Sequence, residues 1–264
     1  MVTPARTWLS TPSSRSFRND LFDKVGHAND DSESGKVSLS GQTAIKLLRS
    51  ILRTYPQLIL ENASDGGRFP GLVESLCGQQ QNAFRLAGLQ LLESFLRGRA
   101  DFAPLDTAST AVSLAFSILP QLVLCQHGPC QIVCFEAYGT LRGSDWMSIS
   151  KNPTARDLKH HLDAILSFCH QGCEGSDPPH KSTTGEVNRA ANAGVRSAAC
   201  KAVGDIYSNC FLDAGEGTGT TWSANYLHWQ EENISLLSND ICQTMVQAMA
   251  DGNAAVRSMV STVF

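Results

Sequence analysis

The sequence of 264 residues predicts an all-α protein, a stack of helical hairpins sharing one continuous core. Three observations predict it. An apolar pattern of helical period recurs along the chain, further apolar helices fall between the recurrences, and several of the recurrences open on the same start signal.

The recurring face occupies offsets 0, 4, 7, 8 and 11, one side of a helix with 3.6 residues per turn. Its first two instances are Ala44, Leu48, Ile51, Leu52 and Tyr55, then Phe84, Gly88, Leu91, Leu92 and Phe95. Cys130, Cys134, Ala137, Tyr138 and Leu141 form the third, and Val195, Ala199, Ala202, Val203 and Ile206 the fourth. A fifth begins with Val256, Val260, Val263 and Phe264. The first two spacings lie near the ~40 to 47 residues of HEAT and armadillo units, and the last two are longer by about a loop. Small residues at offset 4, namely Gly88, Cys134 and Ala199, are expected where neighbouring helices approach closely.

Partner helices complete the hairpins. Leu72, Val73 and Leu76 predict a short one, and Leu105 to Leu119 a longer one that Pro120 stops. Leu158, Leu162, Ile165, Leu166 and Cys169 mark the next, and Ile234, Leu237, Ile241, Met245, Val246 and Met249 the last. Such hairpins bury their second apolar face only against a neighbouring repeat. Asn82, Asn192 and Asn253 each precede a repeat face as expected N-caps, where the side-chain oxygen accepts a free backbone N–H.

Asp251-Gly-Asn-Ala-Ala-Val256-Arg257 looks like the turn and second-helix start of a HEAT repeat, and Val195 to Gly204 resembles the same helix continued. With Ala44-Ile-Lys-Leu-Leu48 and Arg85-Leu-Ala-Gly-Leu-Gln-Leu-Leu-Glu93, the order of segments over roughly residues 40 to 264 resembles the HEAT repeat-containing protein 6 family. The resemblance implies an α-solenoid and supplies no catalytic residues. Long connections after Gly172 and after Cys210 depart from the family pattern.

Composition narrows the function classes. Lysine and arginine number 21 against 25 acidic residues, and a net charge of −4 gives no electrostatic case for a nucleic-acid surface. No segment has the ~20 uninterrupted apolar residues of a membrane span. Residues 1–36 hold little periodic apolar sequence and read as a disordered leader, with residues 37–264 forming the repeats. Arg6, Arg15 and Arg18 without an acid before Asp20 keep organelle import as the alternative for that leader. Nine cysteines, an odd number lying mostly on apolar faces, predict reduced thiols of a cytoplasmic or nuclear protein rather than a disulfide framework.

The chemistry-bearing residues divide by the same test. Cys125, His127, Cys130 and Cys134 crowd one helix start, but Cys130 and Cys134 belong to the core face, so no metal is expected. Gly215 to Thr221 is glycine-rich without the ending of a phosphate-binding loop, and reads as a linker. His160 and His161 are expected at a solvated helix edge. Arg85, Arg196 and Arg257 recur near helix starts, either lining a groove for an acidic partner or pairing internally with the next repeat; internal pairing is favoured, since charges near a core need partners. Trp222, Tyr226 and Trp229 concentrate aromatic surface in the connection after Cys210, either as a binding face or as the inward-packed start of the next helix.

No paired acid and base, nucleotide loop or cofactor signature emerges, and no small-molecule substrate is evident. The sequence therefore predicts a non-enzymatic scaffold for protein partners of unknown identity. The alternative is an importin-like transport adaptor using the same surface. The apolar close of the last recurrence, at Met259, Val260, Val263 and Phe264, leads to the expectation that a longer solenoid continues beyond it.

Overall fold

The computed structural model describes residues 20–25, 39–55, 63–99, 108–150, 158–170, 193–212 and 224–263. The described residues are mainly helical and contain no strand. Among the described residues a short helical segment at 20–25 precedes ten helices: α1 (Leu39–Thr54), α2 (Ala63–Cys77), α3 (Asn82–Arg99), α4 (Ala108–Val123) and α5 (Gly128–Gly139), then α6 (Gly143–Ser150), α7 (Leu158–His170), α8 (Ala193–Tyr207), α9 (Ala224–Met249) and α10 (Ala254–Val263). A π-helical turn, Ser208–Leu212, continues α8. The chain divides into two compact units, Met1–Ile118 and Leu119–Phe264, a division that the sequence reading of one run of repeats over 37–264 does not contain.

The offset pattern marks the core. Ala44, Leu48 and Leu52 of α1, Phe84, Leu91, Leu92 and Phe95 of α3, Cys130, Cys134, Ala137 and Tyr138 of α5, and all five positions of α8 are buried. Val256 and Val260 of α10 are buried too, while Tyr55, just past the end of α1, is exposed. Each fully enclosed Val, Leu, Ile or Phe contributes about 1.5–3 kcal/mol relative to exposure, so these faces carry most of the drive to fold.

In the first unit α3 packs against both α1 and α2. A Cβ on Gly88 would lie 2.7 Å from Cys77 Sγ and 2.9 Å from Leu76 Cβ, so the glycine at offset 4 does mark a close crossing. In the second unit α8 is central, touching α5, α7 and α10, while α9 packs on α7 and α10.

Several elements differ from expectation. Residues 20–25, assigned to the disordered leader, form a helical segment in which Leu21, Phe22 and Val25 are buried, with Arg68 lying over the Phe22 ring and bound to Asp23 at 2.5 Å. Three apolar residues on one face suffice to seat it. The rest of the leader lies outside the described residues, as do the linker Gly215 to Thr221 and Asn192. Helix α4 does not stop at Pro120 but runs on to Val123; with the proline in its last turn, only one hydrogen bond of the ladder is removed there. Asn82 is the first residue of α3 rather than its N-cap, and the carbonyl of Gln81 accepts from Phe84 and Arg85. Asn253 does cap α10, its Oδ1 accepting from the Ala255 N–H at 2.9 Å. Helix α6, not foreseen, buries Trp146, and Val246 and Met249 of α9 face outward at 67% and 47% exposure instead of joining the core.

Candidate functional site

Of the candidate arginines, Arg196 is nearly enclosed on α8 and grips Asp251 with two bonds, Nε to Oδ2 at 2.8 Å and Nη2 to Oδ1 at 3.0 Å. Asp251 sits in the turn between α9 and α10, where its Oδ1 also accepts the Asn253 N–H at 2.8 Å. Burial pushes the Asp251 carboxyl up; the hydrogen bonds from Arg196 and Asn253 and the charges of Arg196 and Arg257 outweigh it and hold the group below the usual carboxylate range. Arg257 Nη1 donates to the Asp251 carbonyl at 2.6 Å, and Arg85 Nε to the Gln79 carbonyl at 2.5 Å. All three arginines thus donate to groups of their own unit, Arg196 and Arg257 meeting at one turn while Arg85 closes another.

The aromatic candidates divide. Trp229 is 8% exposed and stacks on Phe211 of the π-helical turn, with ring centroids 6.3 Å apart and planes at 10°. Gln230 Nε2 donates to the Cys210 carbonyl at 2.5 Å beside it. Since α9 begins at Ala224, this segment starts a helix, and Trp229 anchors that start to the end of α8. Leu227 faces outward. Trp222 and the side chain of Tyr226 lie outside the described residues.

The described thiols are mostly buried, whereas the histidine pair divides, His160 being exposed as expected and His161 not. His161 is not at a solvated edge: it is 1% exposed, with Nδ1 3.0 Å from the Tyr138 hydroxyl, and sits edge-on to the Tyr138 and Trp146 rings. A buried ring with the Tyr138 hydroxyl on Nδ1 and aromatic neighbours at its edges is a satisfied core group, and Trp146 arrives through the unforeseen α6. His127 Nδ1 lies 3.1 Å from Cys130 Sγ, with Cys130 fully buried. No group of three or more His, Cys, Asp or Glu placed to hold a metal ion occurs among the described residues.

Burial raises the Cys77 thiol to about 12 against the opposing charge of Arg85, and raises Cys210 as well, with Asp145 adding to the effect. A hydrogen bond with Cys169 pulls the Cys200 thiol down, against its own burial. Cys242 on α9 is exposed. Because thiolate fraction and access control reactivity, a charged maleimide at neutral pH is expected to label Cys242 well before Cys77 or Cys210. Peptide mapping after short exposure checks this, and earlier labelling of either buried thiol would contradict the packing.

One polar cluster escaped the sequence reading. On α1, Lys46, Arg49 and Arg53 fall at i, i+3 and i+7, a single stripe, and α3 brings Gln90, Glu93, Ser94 and Arg97 beside it. Arg49 Nη1 donates to Gln90 Oε1 at 3.1 Å, and its Nε lies 3.4 Å from Ser94 Oγ. Glu93, 1% exposed, accepts from Arg53 Nη2 at 2.9 Å and Arg97 Nε at 2.5 Å. Burial would raise its carboxyl; the two guanidiniums prevail and hold it below the usual range. The basic stripe at helical spacing was the available signal.

Among the described residues no helix is long and apolar enough to cross a membrane. In comparison with known proteins, the chain matches no family model and no curated protein.

Proposed function

We propose that the chain is a non-enzymatic scaffold of HEAT or armadillo type, which binds protein partners through the outer faces of its stacked helices, in keeping with the resemblance to the HEAT repeat-containing protein 6 family. The observation that carries this reading is the order of packing in the second unit. The repeat-face helices follow one another from α5 to α8 to α10, and the partner helices α7 and α9 pack on each other as well as on the repeat-face helices. Two layers, each contacting its own neighbours in chain order, are what a solenoid requires, because every repeat buries its apolar faces against the next.

The Arg196–Asp251 pair supports the same reading, since it ties one repeat-face helix to the turn that opens the next. Buried, fully paired charges at a repeat joint favour one register over its alternatives. Binding by such a scaffold draws on an extended surface and a few anchors rather than on a pocket. We place it inside the cell, on the strength of its thiols.

Affinity capture of the intact chain from cells, with cross-linking mapped to residues, tests the reading. Protein partners cross-linked to exposed positions of the helices are expected. Retention no greater than that of an unrelated helical protein of the same net charge would count against it.

A further inference from the structure

We propose that Cys169 of α7 and Cys200 of α8 form a dithiol site that hydrogen peroxide oxidises to a disulfide. The site goes beyond the scaffold reading and needs no partner protein.

Placement is the first ground. Both residues are thiols without exposed surface, on two helices that pack against each other. Their side chains are in hydrogen-bond contact, the Cys169 S–H donating to the Cys200 sulfur. Cys169 Sγ also lies 3.7 Å from the Ile165 carbonyl oxygen, so its one proton has two acceptors within reach. Two sulfurs that already touch across a helix pair are placed for a covalent bond, which isolated buried thiols are not.

The second ground is the state of the Cys200 thiol. Burial raises Cys77 and Cys210, which hold their protons tightly. Cys200 goes the other way: the bond from Cys169 lowers it, against its own burial and the charge of Asp251, and Arg196 one turn earlier on α8 adds to the lowering. Since the thiolate is the nucleophile, Cys200 is the attacking sulfur and Cys169 the resolving one.

The reaction has two steps. The Cys200 sulfur attacks one peroxide oxygen; an S–O bond forms, the O–O bond breaks, and the departing hydroxide leaves as water with the thiol proton. The Cys169 sulfur then attacks the sulfenic sulfur; the S–S bond forms, the S–O bond breaks, and hydroxide leaves as water with the Cys169 proton. The sulfurs lose two electrons, and these reduce one peroxide to two waters. A resolving thiol in contact captures the sulfenic acid before further peroxide can carry it to the irreversible sulfinic acid.

Burial selects the oxidant. Hydrogen peroxide is small and uncharged, and reaches an enclosed pair through local opening of the helices. Glutathione disulfide is bulky and charged, and a closed helix interface denies it the access that thiol–disulfide exchange requires.

The test uses the full, reduced chain, treated with a small excess of hydrogen peroxide, blocked with N-ethylmaleimide in denaturant and digested without reductant. Mass spectrometry should find peptides joined through Cys169 and Cys200, lighter by the two thiol hydrogens and separated again by dithiothreitol. In Cys169→Ser, whose hydroxyl still donates to the neighbouring sulfur, dimedone should trap a sulfenic acid on Cys200 that wild type does not accumulate. Glutathione disulfide should form the linkage at least about tenfold more slowly. Cys242→Ser, which removes the exposed thiol of α9, should leave it unchanged. Thermal melting confirms that each sample is folded at the dose used. The proposal is overturned if the folded wild-type chain gains no such linkage, if another cysteine replaces either member in the main product, if Cys200 in folded Cys169→Ser takes no dimedone, or if glutathione disulfide works equally fast. None of these results bears on the scaffold reading.

Discussion

Replacing Asp251 with alanine is expected to destabilise the second unit by about 3–5 kcal/mol, the usual cost of stranding one partner of a buried ion pair. Arg196 would keep its charge in a nearly closed environment without the carboxylate that accepts its Nε and Nη2 bonds. The same substitution frees the Asn253 N–H and loosens the turn that starts α10. For a unit of this size the melting temperature should fall by roughly 2–4 °C per kcal/mol. Arg196→Met combined with Asp251→Leu should recover much of the loss, because the cost lies in the unpaired charge more than in the missing attraction. Acid should act in the same direction. Asp251 has its carboxyl held below the usual range in the folded chain, so its contribution is complete above the ordinary carboxylate pKa and fades as pH falls through the folded value. The wild-type chain should therefore lose stability over that acidic window more steeply than Asp251→Ala. Parallel denaturation profiles for the two chains, or a variant as stable as wild type, would show that the pair does not form the joint.

What the sequence made legible follows from the reach of its periodicities. Apolar offsets are local, and a side chain at offset 0, 4 or 8 of a repeat face has nowhere but the core to go; hence Phe84, Tyr138 and Val203 are buried as the pattern requires. Contacts between helices are not local. Nothing in the row Lys46, Arg49, Arg53 reveals that α3 will set Glu93 beneath it, and nothing in His160-His161 reveals that α6 will cover the second ring with Trp146. Amphipathic reading also errs where a helix has one covered face and an apolar residue on the other, as at Val246. The candidate arginines show both limits: their recurrence near helix starts was visible, while the partner of Arg196 lies 55 residues away.

Two glycine-to-alanine substitutions in the first unit are expected to change stability in opposite directions. In a helix interior alanine is favoured over glycine by about 1 kcal/mol, through lower backbone entropy in the unfolded chain. Gly71 in α2 has nothing within 4 Å of the position that a Cβ would take, so Gly71→Ala should realise that gain, about 0.4–1 kcal/mol. Gly98 near the end of α3 is the reverse case. Its Cβ would fall on the backbone carbonyl of Leu52 and within 2.9 Å of Arg53 Cα, so backbone rather than a flexible side-chain end must give way. Separating α1 from α3 there would disturb Leu52 in the core and lengthen the Arg53–Glu93 bond beside it. Overpacking of this kind costs about 1–3 kcal/mol, enough to exceed the propensity gain and give a net loss. Denaturant unfolding of both variants reads the two signs in one experiment. A stabilised Gly98→Ala would mean that α1 and α3 cross farther apart than described.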